Sequence, residues 1–478
     1  MLNPEGVVKK KLIMNEPKNI KKFISSPSGD GGGLAVYFIG IGGIGMSALA
    51  RYFKSRGAVV SGYDKAVTPL TRKLEEEGLD VHFEEDIDMI PKDVDVVVYT
   101  PAIPADHKEL VYYKENNYTV VKRSDVLQWI TENSYDICVG GTHGKTTVTT
   151  MIAHVLRDSG YGCNAFLGGI SANYQTNFWS SDNNVDVIEA DEYDRSFLKL
   201  SPDVAVITAI DADHLDIYGT LEEVENAFIT FTKRIHKDGC LVSKYGLKKS
   251  KDLKAATHYT YSYDNTEADV YAGDVEVVNG AYKYNVINKD WKLKNVELHM
   301  GGLHNIENSV AAITVCKYLK IENDKIKKAL KSFKGVHRRF EYVLKNDKYI
   351  LIDDYGHHPA EISAVLTGVH SLFPEEKMTV IFQPHLFSRT NDFADEFAQS
   401  LDMADEVILL PIYPAREVPM EGVTSQLVLD KMQLPQKQIL DKNAMLDWVK
   451  LYKPKLLIMC GAGDIDALVQ PVKEILMQ

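Results

Sequence analysis

The chain has 478 residues, 45% of them hydrophobic and 25% charged, with a formal net charge of −13. That length supports about three domains, and the acidic balance argues against a general nucleic-acid binder, which needs a basic surface to neutralise phosphates. The five cysteines, Cys138, Cys163, Cys240, Cys316 and Cys460, are scattered and form no C-x-x-C pair, so they read as small buried hydrophobes and not as a disulfide framework or zinc site.

Residues 1–33 are polar and lysine-bearing and end in SSPSGDGGG. They lack the apolar core of a signal peptide and predict a flexible leader. The chain shows no run of about 18 apolar residues, so no membrane partner is expected and the expected location is cytoplasmic.

LAVYFIG (34–40) is an apolar run entering glycines and predicts a buried strand. A helix from about Gly45 to Ser55, strands at AVVSGYD (58–64), VDVVVYT (94–100) and YTVV (118–121), and a helix at SDVLQWI (124–130) follow. Strands alternating with helices predict parallel βαβ units, here a Rossmann-like domain over 34–133. Its first turn, Gly40-Ile41-Gly42-Gly43-Ile44-Gly45, fits G-x-G-x-x-G, with Met46 next. Glycines let the backbone approach a diphosphate, and the helix N-terminus offers N–H groups and partial positive charge. Asp64 ends the second strand, where a ribose-binding carboxylate is expected. The motif alone leaves NAD, FAD and a UDP-sugar open.

YDICVGG (135–141) restarts the pattern and predicts a central α/β domain over 134–335, with a helix from about Lys145 to Asp158. The turn between them reads Gly141-Thr142-His143-Gly144-Lys145-Thr146-Thr147. Its Gly-Lys-Thr matches the end of a phosphate-binding loop, though Val139 stands where the first glycine of the usual pattern belongs. Backbone N–H groups would cradle phosphates, Lys145 would reach the β/γ oxygens, and Thr146 would ligate Mg²⁺. Further Mg²⁺ ligands belong at nearby strand ends: Glu189 closes VDVIEA (185–190), and His214 follows DVAVITAI (203–210). A histidine is an unusual partner for an ion that prefers oxygen. LEEVENAFITFTKRI (221–235) has helical spacing, residues 257–299 predict a small antiparallel insert, and a helix begins near Asn305. A third, Rossmann-like domain over 336–478 is predicted from KYILIDDYG (348–356), KMTVIFQ (377–383), ADEVILLP (404–411) and KLLIMCGAG (455–463).

Taken in order, GTHGKTT, EADE, DADHLD, GLHNIENSVAA, HRRFE and DDYGHHP resemble the Mur ligases of bacterial cell-wall synthesis, and GIGGIGMS, FLKLSP and QPHLFSRT extend the resemblance over the whole chain after residue 33. The resemblance implies an ATP-dependent ligase that joins L-alanine to the carboxylate of UDP-N-acetylmuramate through an acyl phosphate. It explains two glycine loops in one chain: Gly40, Ile41, Gly42, Gly43, Ile44, Gly45, Met46 and Asp64 would hold the UDP-sugar, and Gly141–Thr147 would hold ATP. It carries Thr146, Glu189 and His214 over as the metal site, and His304, Asn305 and Asn308 as the adenine side. Arg339 would contact ATP phosphate and Asp354 the ATP ribose. His385 and Arg389, at i and i+4 if a helix starts there, would meet L-alanine. Arginine suits its carboxylate because the guanidinium fork binds bidentately, and His385 would orient or deprotonate its amine. His357 and His358 share the DDYGHHP loop without separate roles.

Three departures stand out. Ala209 replaces a common asparagine, Thr100-Pro101-Ala102-Ile103 replaces a serine-rich loop on the UDP side, and the leader has no counterpart. The alternatives are a murein-tripeptide recycling ligase, an NAD-dependent dehydrogenase, and a non-catalytic nucleotide-binding protein. A monomer or weak homodimer is expected.

Overall fold

The computed structural model of the chain describes residues 18–25, 33–211, 215–278, 280–415 and 417–478. It is an α/β protein of three domains, each built on its own sheet. The first sheet is wholly parallel, in the order Asp80–His82, Val59–Tyr63, Ala35–Ile39, Val96–Tyr99, Val120–Lys122. The chain starts in the middle strand and winds outward both ways, so a crevice opens at the carboxyl end of Ala35–Ile39, the usual binding position in doubly wound sheets. The GIGGIG turn lies there, followed by the helix Ile44–Ser55.

The second sheet has ten strands. Val185–Glu189, Tyr135–Gly140, Val204–Ile207 and Cys240–Lys244 run parallel at its centre. They are almost wholly buried and correspondingly rich in Val and Ile. The stretch expected as an antiparallel insert is continuous with this sheet. Thr257–Ser262 and Val270–Val278 extend the parallel run, Ala281–Asn288 reverses, and Trp291–Leu298 reverses again at the edge, so that only Ala281–Asn288 opposes the run in this stretch. Alternation of apolar and polar residues reports which face is buried and carries no strand direction. At the other edge, Asn164–Ser171 and Thr176–Trp179 form a hairpin that the sequence pattern hid, because Gly168-Gly169 interrupts the apolar run. The third sheet, of six strands, is parallel except for Glu341–Lys345 at one edge.

Part of the leader departs from the expectation of a flexible segment. Lys18–Ser25 is a helix that buries Ile20, Phe23 and Ile24, with the Phe23 ring 5.9 Å from that of Phe53. The i, i+3, i+4 spacing of those three residues makes one apolar stripe, which the overall polarity of residues 1–33 masked. Residues 1–17 and 26–32 lie outside the described residues. All five cysteines are buried and free. Among the described residues, no helix is long and apolar enough to cross a membrane.

Candidate active site

Strand Tyr135–Gly140 delivers its carboxyl end into the second glycine loop, and helix Lys145–Asp158 begins directly after it. Gly144 caps that helix at φ +81, a left-handed conformation that costs an L-residue about 1–2 kcal/mol. A Cβ there would also stand 2.9 Å from Asn308 Oδ1. The loop is tied down from the next strand. Thr208 Oγ1 donates to the carbonyls of Gly140 and His143, and Thr142 N donates to the Ala209 carbonyl at 3.1 Å. Position 209 therefore serves the loop through its backbone, which alanine supplies as well as asparagine does. Asp211 completes the brace: its N–H donates to Thr142 Oγ1 at 3.2 Å, and its carboxylate lies 3.9 Å from His143 Nε2. Thr147 is buried in the first helical turn.

Lys145 points back over the loop, its Nζ donating to the Gly141 carbonyl at 2.7 Å and to Glu192 Oε1 at 2.8 Å. Glu192 is only 1% exposed, so this is a desolvated ion pair, unlike the weak pairs of an open surface. Desolvation raises the Glu192 carboxyl above its ordinary range, and the Lys145 charge opposes the shift. The sequence reading missed Glu192, although it stands three residues past Glu189 in the same Glu-Ala-Asp-Glu string. Thr146 Oγ1 donates to Glu189 Oε1 at 3.1 Å, and Gly168 N donates to Oε2 at 3.1 Å. Desolvation raises the Glu189 carboxyl too, again against Lys145. A hydroxyl and a desolvated carboxylate side by side are oxygen donors suited to a hard divalent cation, whose charge would hold Glu189 ionised. His214 lies outside the described residues.

Asn305 and Asn308 follow Gly302, which opens helix Leu303–Tyr318. Both are buried. Asn305 Nδ2 donates to the Gly301 carbonyl at 2.7 Å, and Asn308 Nδ2 donates to Asn305 Oδ1 at 3.1 Å. The amide pair thus stands against the phosphate loop at Gly144, with exposed His304 one residue before it.

In the first glycine loop, Gly42 N donates to Asp64 Oδ2 at 2.8 Å, and the N–H groups of Gly40 and Ile41 share the Tyr63 carbonyl at 2.8 and 3.0 Å. Asp64 thus shapes the loop directly. Ile41 and Met46 are buried in the core, so only their backbones face a ligand; Gly43 and Ile44 stand at the helix start. A cavity of about 210 Å³ runs from the helix start of this loop to Glu189, the partner of Thr146, lined by Ile44, Gly45, Arg123, Gly168, Glu189 and Asp191 among others.

The third domain supplies a separate cluster. Asp354 ends strand Ile350–Asp354 with both carboxylate oxygens taking backbone N–H groups, from Phe340 and from Gly356, each at 2.7 Å. Burial pushes its pKa up to about 6, while those bonds and Arg339 pull against it. The Arg339 guanidinium lies 5.3 Å from the Tyr355 ring centre. His358 caps helix Pro359–Leu372 and packs on Phe393, a structural role. His357 faces His385, with ring centres 5.9 Å apart. His385 does not begin a helix: Leu386 turns at φ +71 and the helix runs Phe387–Asp392. Arg389 Nη1 still comes within 3.5 Å of His385 Nδ1. Arginine can only donate, so Nδ1 is the acceptor and the ring proton sits on Nε2. Burial, His357 and Arg389 lower the His385 pKa, with Glu417 pulling against them.

The Mur ligase middle-domain model matches residues 139–316, the Mur ligase family catalytic-domain model residues 35–135, and the Mur ligase glutamate ligase domain model residues 338–463. The chain belongs to the Mur ligase family. This Mur ligase is 48% identical over 449 residues to the UDP-N-acetylmuramate–L-alanine ligase of Porphyromonas gingivalis, covering 92% of this chain and 98% of that one. It is 47% identical to the enzyme of the same name from Parabacteroides distasonis, at 92% and 97% coverage. Among solved structures, the UDP-N-acetylmuramate–alanine ligase of Thermotoga maritima matches with a TM-score of 0.79 at 28% identity, covering 92% of this chain and 98% of that one. A murein peptide ligase from Psychrobacter arcticus shares the fold, with a TM-score of 0.64 at 21% identity, covering 93% of this chain and 98% of that one.

Proposed function

We propose that the protein is an ATP-dependent ligase that joins L-alanine to the carboxylate of UDP-N-acetylmuramate, releasing ADP and phosphate, in bacterial peptidoglycan precursor synthesis. The observation that carries this reading is the cavity joining the GIGGIG helix start to Glu189. A substrate held at the first loop by its diphosphate could extend its free carboxylate toward a phosphate held at the second. The working division is 34–133 for the UDP-sugar, 134–335 for ATP and 336–478 for the amino acid, in one cytoplasmic chain acting as a monomer or weak dimer.

A carboxylate is a poor electrophile. Transfer of the γ-phosphoryl group of ATP to it gives an acyl phosphate, which an amine can attack with phosphate as the leaving group. The first step brings two anions together, so the protein must position them and neutralise charge. Lys145 offers its ammonium over the phosphate loop, and Glu192 fixes where that charge sits. A bound Mg²⁺ would add charge neutralisation at the phosphates, held by Thr146, Glu189 and His214. Asn305 and Asn308 would read adenine, and Arg339 and Asp354 would approach ATP from the third domain. In the second step, the Arg389 fork and the Nε2–H of His385 offer donors to the L-alanine carboxylate. With its lone pair turned to Arg389, His385 orients the amino acid and leaves the amine to lose its proton elsewhere.

ADP release should be measured with UDP-N-acetylmuramate and ATP while amino acids and the murein tripeptide are supplied in turn. L-alanine should give the highest kcat/KM. Preference for the tripeptide would reassign the chain to recycling, and ADP release indifferent to any amine would remove the ligase reading.

A further inference from the structure

The last glycine of a G-x-G-x-x-G turn ordinarily lets its helix pack close to the neighbouring strand. Here it admits a side chain. A Cβ on Gly45 would stand 2.2 Å from Arg123 Nη1, so the guanidinium occupies the notch left by the missing methyl. Arg123 opens helix Arg123–Thr131 and is 19% exposed, and its Nη2 lies 3.8 Å from Asp191 Oδ2 across the domain boundary. Arg123 and Glu189 line the same cavity, in which Arg123 is the one basic side chain among the described lining residues. Two carboxylates, Glu189 and Asp191, stand against it there. Without that guanidinium, an anion entering from the first loop toward Glu189 would meet two carboxylates and no cationic side chain among the described lining residues. The Asp191 contact is long and 41% exposed on its acidic side, so it leaves most of the five donors of Arg123 free for another acceptor.

We infer that Arg123 binds an anionic group of the sugar nucleotide where it passes from the first loop to the phosphate site, and that Gly45 is required as glycine to seat it. The inference rests on the UDP-sugar reading of this cavity and adds a specific residue to it. The acceptor is either the diphosphate or the sugar's carboxylate, both of which suit a guanidinium fork.

The test is equilibrium binding of UDP-N-acetylmuramate and of UDP to the full chain, together with the KM for ATP. Arg123→Ala should weaken UDP-N-acetylmuramate at least about tenfold, the loss of one good charge-assisted contact, and leave the KM for ATP within about twofold. Arg123→Lys should recover part of the loss. Gly45→Ala should mimic Arg123→Ala and add little to it in the double variant. If UDP weakens equally, the acceptor is the diphosphate; if UDP is unaffected, it is the carboxylate. Asp191→Asn should keep or improve binding, because it removes a competitor for the guanidinium. Unchanged affinity in Arg123→Ala would overturn the inference, as would an Asp191→Asn variant reproducing its loss, which would make Arg123 a brace between domains. Wild-type protein that fails to bind UDP-N-acetylmuramate at all would sink the proposed function instead.

Discussion

Arg389 and His385 meet 3.5 Å apart beside His357, and among the described residues no hydrogen bond, ion pair or ring contact joins any of the three to the phosphate loop. Their separation from Lys145 divides the chemistry into two parts that single substitutions can address. The carboxylate of L-alanine takes no part in forming the acyl phosphate. Arg389→Ala should therefore leave that step intact while raising the KM for L-alanine at least about tenfold, as expected for loss of a bidentate charged pair. Hydroxylamine should still trap the acyl phosphate formed from ATP and UDP-N-acetylmuramate. Lysine at 389 should restore only part of the loss, since a point charge lacks the fork. Lys145→Ala should do the reverse and abolish the trappable intermediate while sparing UDP affinity. An Arg389→Ala protein that forms no intermediate yet keeps a normal L-alanine dependence would move Arg389 to the ATP side.

Helix Lys108–Glu115 shows what a whole element can hide from sequence. Its first turn carries Glu109, fully buried, which accepts from Tyr37 Oη at 2.7 Å and lies 3.8 Å from His82. Burial pushes its carboxyl up to about 7, and the Tyr37 bond only partly offsets this. A carboxyl raised on folding adds its stability below its unfolded pKa and loses it as pH rises through the folded value. The wild type should therefore lose stability between about pH 5 and pH 8 relative to Glu109→Gln, and the Tm difference should drift toward the variant across that window. A difference flat with pH would mean that Glu109 is ionised throughout. Nothing in Lys-Glu-Leu-Val marks that glutamate as buried, because charge on a helix reads as a solvated face until a tertiary neighbour is known. The same limit hid Glu192 and Arg123, whose roles arise from residues 47 and 78 positions away respectively. The central strands and helix Lys145–Asp158 were legible because apolar runs and glycine turns are local signals. The hairpin at 164–179 was not, since two glycines broke its run. Motif order picked out the residues of the candidate site, but Met46 and Ile41 serve the core with their side chains, and His385 reaches Arg389 through a left-handed turn at Leu386 instead of a helical face.

At the scale of the molecule, the first two domains meet through helix Arg123–Thr131, whose Asp125 pairs with Lys199, and through a second helix that leads out of the first glycine loop. Ile44–Ser55 leaves the first glycine loop and packs Tyr52 against Phe166 and Phe178 of the hairpin at the edge of the second sheet, with ring centres 5.4 and 6.1 Å away. Asn177, fully buried on that hairpin, donates to the Ile44 carbonyl at 2.5 Å and to Ser47 Oγ at 3.0 Å, and it accepts from Arg51. Arg51 is meanwhile held bidentately by Glu77 at 2.7 and 2.9 Å. The hairpin also carries Gly168, whose N–H holds Glu189. One asparagine therefore sets the first helical turn of the UDP-side loop relative to the carboxylate proposed to serve the phosphate site. Asn177→Ala would leave a buried guanidinium N–H short of a partner, at about 1–3 kcal/mol, while the Ile44 carbonyl keeps its bond from Ser47 Oγ. The Tm should fall by several degrees, and kcat/KM for UDP-N-acetylmuramate by at least about tenfold, because a small displacement between the two loops costs the approach of carboxylate to phosphate. Binding of UDP, proposed to rest on the first domain, should change less than about threefold. Equal losses for UDP and for turnover would show that Asn177 merely supports the first domain. An unchanged Tm together with unchanged turnover would show that the two loops keep their spacing without it.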